Sequence, residues 1–295
     1  MKKLLALLLS TTMLLSLAAC GGGDKSGNAG GASSSTSQGG ASSSSPQGGD
    51  ASSTQQPSGG DSTFTTVKEG ELHMSTNAAF PPYEMTTDDG GFEGIDVEVA
   101  TAIAEKLGLT LVVDDMGFNA ALTAAATGQS DIVMAGVTVT DERLLTLDFS
   151  DSYATGIQVI IVKEGSPIQT VDDLANAELI GTQHSTTGYM YCSADPEEGG
   201  YGEDHVIAYD TGALAVMALV NGQVDAVVID NEPAKAYVAA NEGLVILDTE
   251  FAVEDYAIGV KKGNTDLLNA INKAMAELKA EGTFQDIVDK YITAD

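Results

Sequence analysis

Gly128-Gln129-Ser130-Asp131-Ile132-Val133 and Gly222-Gln223-Val224-Asp225-Ala226-Val227 are two copies of one hexapeptide, with four of six positions identical. Each copy follows an Ala-rich helical stretch and opens an apolar run of strand length, so each reads as the joint between a helix and a strand. Two such joints imply two lobes of the same α/β kind. In open α/β sheets ligands sit beyond the carboxyl ends of the strands. Here those ends are Ala135-Gly136-Val137-Thr138 and Asp230-Asn231-Glu232. If the lobes face each other, these segments form the two walls of one cleft.

The surrounding chain has the same character. Short apolar runs at 109–113, 131–135, 159–162, 206–208 and 225–229 have strand lengths, with helical stretches between them. Val99, Ala100, Ile103, Ala104 and Leu107 keep helical spacing, and Gly108 stands where a left-handed glycine ends a helix. Thr170-Val171-Asp172-Asp173 has the form of a capping box with Thr170 as N-cap. Leu214, Ala215, Met217, Ala218 and Leu219 mark another amphipathic helix, and Leu267, Leu268, Ile271, Met275 and Leu278 give the longest helical stripe. Alternating strands and helices predict mainly parallel sheets.

Composition narrows the function. Of 295 residues, 13 are Lys or Arg and 43 are Asp or Glu, for a net charge of −30. Nucleic-acid binding is disfavoured, because a phosphate backbone is held by clustered cations. Two cysteines, Cys20 and Cys192, cannot form a disulfide framework, and Cys192 reads as a small buried hydrophobe. His73, His184 and His205 are scattered, so the sequence predicts no metal site and no cofactor.

The first residues read as an address and a tether. Lys2 and Lys3 precede an apolar stretch over 4–17 that is too short for a comfortable membrane span. Leu17-Ala18-Ala19-Cys20 resembles a bacterial lipobox, which predicts a signal peptide over 1–19 and a lipid on Cys20. Residues 21–62 are Gly, Ser, Gln, Thr and Ala with almost nothing apolar, so the stretch 20–66 is expected to be a disordered tether. A Gly/Ser coil of 42 residues spans roughly 35 Å root-mean-square.

The cleft walls carry charge-reading groups. Gly136 allows close approach of a ligand to the backbone, Thr138 offers a hydroxyl and an N–H, and Thr140 can cap a short helix bearing Arg143. Arg143 is the single arginine of the chain, and a guanidinium grips a carboxylate through two parallel hydrogen bonds. The alternative is a surface arginine paired with Asp141 or Asp148. On the other wall Asp230 follows a buried-looking strand, where it can take a ligand ammonium or simply cap the helix that follows. Together the two walls propose a zwitterionic ligand.

Residues 67–295 resemble the amino-acid-type extracellular solute-binding proteins, family 3, the receptors of ABC importers. The resemblance rests on Thr76-Asn77-Ala78-Ala79-Phe80-Pro81-Pro82-Tyr83-Glu84, Gly94-Ile95-Asp96-Val97-Glu98, the run from Ala135 to Arg143 continuing to Asp148-Phe149-Ser150, and Asp225-Ala226-Val227-Val228-Ile229-Asp230. It implies the two-lobe periplasmic-binding-protein-like fold (type II), closing on its ligand by hinge bending. Lobe 1 would comprise 67–152 and 257–295, lobe 2 158–251, with hinges at 153–157 and 252–256. The strand over 256–260 and its following helix would belong with lobe 1.

By the same resemblance Arg143 takes the ligand α-carboxylate, helped by Thr138 and the backbone at Ala135 and Gly136, and Asp230 takes the α-ammonium. Phe80 and Phe118 sandwich the ligand side chain, or are plain core aromatics. Asn77 reaches the side chain's polar tip. Tyr83 and Glu84 are rim residues, or a buried-edge tyrosine and a solvated glutamate. Gln183-His184-Ser185-Thr186-Thr187-Gly188 supplies Thr187 and Gln183 to the carboxylate, although Ser185 stands where many relatives have glycine. The implied ligand is a free amino acid, with a polar or neutral side chain favoured by the neutral amide of Asn77; the alternatives are a cationic side chain, for which Glu84 would restore a negative subsite, and cystine. The implied partners are an ABC permease and ATPase, with the protein monomeric and lipid-anchored on the outer face of the cell membrane. The rival expectations are a dehydratase-like enzyme on the same scaffold, for which Glu84 would be the acid, and a tethered sensor.

Overall fold

The computed structural model describes residues 64–292; the signal-like segment, Cys20 and most of the tether lie outside them. Two sheets organise the chain. The first has five strands in the order Thr110–Asp115, Glu71–Thr76, Ile132–Val133, Gly259–Lys261, Leu147–Phe149. The second runs Val206–Tyr209, Ile180–Gln183, Ala226–Asp230, Ala154–Lys163, Leu244–Ile246, and Ala252–Tyr256 also pairs with the long strand Ala154–Lys163. A small antiparallel sheet, Ala79–Phe80, Glu84–Thr86 and Phe92–Glu93, projects beside the first.

The sheets are mixed, where the sequence predicts mainly parallel ones. Glu71–Thr76 is parallel to both neighbours, and Ala226–Asp230 is parallel to Ile180–Gln183. Gly259–Lys261 is antiparallel to both of its neighbours, and Ala154–Lys163 is antiparallel to all three of its partners. The antiparallel strands are those on which the chain leaves one sheet and enters the other, so no crossover helix constrains their direction. The strand expected at 256–260 is divided: Ala252–Tyr256 joins the second sheet and Gly259–Lys261 the first.

The hexapeptide repeat has a physical cause. The helices Phe118–Thr127 and Gly212–Val220 are each followed by a glycine with positive φ, Gly128 at 78° and Gly222 at 72°. A left-handed residue turns the chain from helix back toward the sheet, and glycine adopts it without steric cost. Gly108 ends Ile95–Leu107 in the same way. The segment after Thr170 departs from expectation. It is a 3-10 helix, Asp172–Asn176, and the Asp173 carboxylate accepts hydrogen bonds from both Thr170 N and Thr170 Oγ1.

Burial follows the apolar pattern. Val99, Ala100, Ile103 and Ala104 pack with Leu267, Ile271, Met275 and Leu278 of the helix Thr265–Glu281 over the first sheet. Ile160, Val162, Ile180, Ala226, Val228 and Cys192 form a core on the second. Cys192 is fully buried, and burial pushes its thiol up to about 12, so it packs as a hydrophobe. Among the described residues no helix is long and apolar enough to cross a membrane, and no cluster of His, Cys, Asp or Glu is placed to hold a metal ion.

Candidate functional site

The carboxyl ends of Ile132–Val133 and Ala226–Asp230 open on one cavity that residues from both walls line. Asn77, Phe80, Phe118, Ala135, Gly136, Thr138, Arg143, Gln183, Thr187 and Asp230 all line it, as do Glu84 and Thr186. Tyr83 does not. It lies behind Phe80, with ring centroids 5.8 Å apart, and meets Tyr256 edge-on at 5.4 Å.

Arg143 opens a 3-10 turn, Arg143–Leu145, whose first N–H is capped by Thr140 Oγ1 at 3.2 Å. The guanidinium is buried, and Asp148, one of its alternative surface partners, pairs instead with Lys262 at 2.8 Å. Nη1 donates to Thr138 O at 2.8 Å and Nη2 to Ser185 O at 3.1 Å, and Cζ stands 5.3 Å from the Phe118 ring centroid. Two of five guanidinium N–H groups therefore orient the fork, and the others remain for a ligand. Burial lowers the Arg143 pKa, while Glu254 and Asp230 raise it. Gly136 has a φ of 55°, and a Cβ there would come 2.7 Å from Phe80 Cε1. Glycine is thus required for the backbone to pass the aromatic ring that lines the cavity.

Asp230 is the N-cap residue of Asn231–Ala240, but its side chain makes no capping bond. It accepts a hydrogen bond from the Tyr256 hydroxyl instead. Burial raises its pKa to about 7, with Tyr256 opposing and the charge of Glu254 adding to the rise. A buried carboxyl that ionises with difficulty is stabilised by an arriving ammonium.

Several contacts join the two walls. Gln183 Nε2 donates to Asn77 Oδ1 at 3.0 Å, and Asn77 Nδ2 donates to Met116 O at 3.0 Å. The Tyr237 hydroxyl donates to Ala79 O at 2.8 Å. Both ends of the Asn77 amide thus have protein partners. Ser185 is the one described non-glycine residue with positive φ, 64°, and its carbonyl accepts from Arg143 Nη2.

Glu254 was invisible to motif reading. It sits on Ala252–Tyr256 in the inward phase of an alternating pattern, between exposed Val253 and Asp255, and that phase is the signal that could have found it. Its Oε2 accepts from Thr138 Oγ1 at 3.0 Å, Thr187 Oγ1 at 3.0 Å and Gln158 Nε2 at 3.1 Å. The Thr138 and Thr187 hydroxyl protons therefore point to Glu254.

Glu84 is fully buried, so it is not a solvated rim residue. Neither of its carboxyl oxygens has a hydrogen-bond partner, and the neighbouring Asp96 leaves Oδ1 unpaired as well. Asp96 Oδ2 accepts from Gly136 N at 3.0 Å and Tyr153 Oη at 2.8 Å. Burial and Asp96 push Glu84 well above the usual carboxylate range, and burial raises Asp96 to about 6.

Residues 72–294 match the bacterial extracellular solute-binding proteins, family 3. The arginine-binding extracellular protein ArtP of Bacillus subtilis (strain 168) is 33% identical over 76% of this chain and 87% of its own length. The L-cystine-binding protein TcyJ of Escherichia coli (strain K12) is 32% identical over 78% of this chain and 85% of its own. An ancestral arginine-binding protein bound to glutamine superposes with a TM-score of 0.71 at 37% identity, covering 77% of this chain and all (100%) of that one. These relatives carry the names of binding proteins rather than enzymes. The chain belongs to the bacterial extracellular solute-binding proteins of family 3.

Proposed function

We propose that this protein is an extracytoplasmic receptor for a free amino acid with a long, polar side chain, delivered to an ABC permease and its ATPase. The single observation that carries this is the pairing of buried Arg143 and buried Asp230 at one cavity, one from each wall. The remaining Arg143 donors grip the α-carboxylate with the backbone N–H of Thr138, the Gly136 N–H expected there being held by Asp96, and Asp230 takes the α-ammonium. The side chain runs between Phe80 and Phe118 toward Glu84. An acid with two unpartnered oxygens there moves the ligand class from the neutral side chains favoured by Asn77 toward one ending in hydrogen-bond donors or a positive charge.

The lobes are divided at 153–157 and 252–256, and these close on the ligand. Cys20 carries the lipid, and the tether over 20–66 holds a monomeric receptor above the membrane. Calorimetry of the standard amino acids, L-citrulline and cystine against the protein tests the receptor role; no binding by any of them overturns it. Mass spectrometry of the mature N-terminus tests the anchor, an unmodified Cys20 being the result against it.

A further inference from the structure

We infer that the side-chain end of the cavity is a proton switch: with a proton shared between Glu84 and Asp96 the site takes a neutral polar side chain, and on losing it a cationic one. This rests on the amino-acid reading above and deepens it.

The geometry begins with satisfaction of polar atoms. As two carboxylates, Glu84 and Asp96 are both acceptors, so neither can bond the other, and three of their four oxygens are buried without partners. Such atoms are costly to leave unpaired. One proton between the two groups changes the count, because a protonated carboxyl donates to the other. Its place is decided by the surroundings. Asp96 Oδ2 already receives the Gly136 N–H and the Tyr153 hydroxyl, which favour its charged form. Glu84 receives nothing. The proton therefore sits on Glu84, which donates to Asp96 and leaves one oxygen to the cavity.

The remaining neighbours reinforce this. Asp230 at the end of Ala226–Asp230 and Asp115 at the end of Thr110–Asp115 both add negative charge at Glu84. Tyr83, Tyr153 and Tyr237 around it are neutral phenols, raised above their usual value chiefly by burial. Among the described residues that line the cavity with Glu84, none is a lysine and one is an arginine. The one cation of the cavity, Arg143, is held at Thr138, Ser185 and Phe118. The protein thus supplies protons and acids at this end but no counter-charge.

A ligand cation is the missing partner. When a guanidinium or ammonium reaches Glu84, the carboxyl ionises, its proton passes to solvent, and the ligand's N–H groups meet the orphaned oxygens. A neutral ureido or amide group leaves the proton in place, donating to the free Glu84 oxygen. Below the free-site pKa of Glu84, affinity for the cation should rise about tenfold per pH unit relative to the neutral analogue. Asp230 contributes a proton of its own to both ligands alike, so comparing the two cancels it.

The test uses L-arginine and L-citrulline, near-isosteric and differing in charge, titrated calorimetrically from about pH 5 to about pH 8 in buffers of low and high ionisation enthalpy. The expected result is up to one additional proton released by arginine, and an arginine-to-citrulline affinity ratio that climbs by at least tenfold over the range. Glu84→Gln should flatten that ratio while citrulline still binds. Asp96→Asn, which keeps an acceptor for Gly136 and Tyr153, should move the climb to lower pH. Should citrulline fail to bind, the arginine profile of the protein against Asp96→Asn reads the same switch. Equal proton release and a pH-independent ratio would overturn the switch but leave the receptor intact. No binding of either ligand at any pH would overturn both.

Discussion

Two buried glutamates share this cavity's surroundings and differ in one respect. Glu254, on the strand Ala252–Tyr256, gives Oε2 to three donors and leaves Oε1 without a partner. Glu84 is more deeply buried and gives neither oxygen to any. Burial alone therefore does not tell what a carboxylate is for. Donors do. Thr138, Gln158 and Thr187 tie Glu254 to the first wall, to the strand Ala154–Lys163 and to the second wall, so it holds structure. Glu84 lines the cavity with no donor to either oxygen. On the reading proposed above, one of its oxygens meets Asp96 through a shared proton and the other is left to the ligand.

The contrast breaks most severely at Glu254. Glu254→Ala removes the acceptor shared by three buried donors and should cost about 3–5 kcal/mol of stability. For a domain of this size that is a fall of roughly 10 °C in melting temperature, readable by calorimetry. A melting point within about 2 °C of the parent would show that the three bonds hold nothing.

Next in size is the clamp. Arg143→Ala and Asp230→Ala each break a desolvated charge contact, worth about 2–5 kcal/mol or at least about thirtyfold in affinity. The ligand's methyl ester should reproduce the arginine loss and add little to Arg143→Ala. Equal binding of ester and acid would remove Arg143 from the carboxylate. Tyr256→Phe is smaller: Asp230 loses its hydroxyl donor, and ligand affinity should drop by about 1–2 kcal/mol, or on the order of tenfold.

The smallest effect carries the sharpest comparison. Glu84→Gln should leave the unliganded protein as stable or up to about 1 kcal/mol more so, the opposite sign to Glu254→Ala. It should also change the pH profile. Asp96 and Asp230 are raised to about 6 and about 7, and Glu84 well above its usual value. The folded protein therefore keeps protons that the unfolded chain releases from about pH 4 upward. Their contribution to stability is present at low pH and is lost as pH rises through about 6 and 7, so unliganded stability should fall across that window. Glu84→Gln should make the fall shallower. Thermal melts from about pH 4.5 to about pH 8 check both, and a stability that climbs with pH would contradict the protonated state of these acids.

Much of this protein is local and could be read from one dimension. A glycine after a helix and a lone arginine behind a capping threonine are set by backbone sterics and short-range hydrogen bonding. So the joints at Gly128 and Gly222, the turn at Arg143 and ten of the cavity-lining residues were legible. The direction of the strands joining the sheets was not, because antiparallel pairing of Ala154–Lys163 with Ala252–Tyr256 brings together residues far apart in the chain. Nor were the partners of the acids. Whether Glu84, Asp96 and Glu254 are paired or orphaned depends on donors from Gly136, Tyr153, Thr138 and Thr187, none adjacent to them in sequence. Residue type fixed which groups can ionise, and only their burial and their distant donors decide which of them keep a proton.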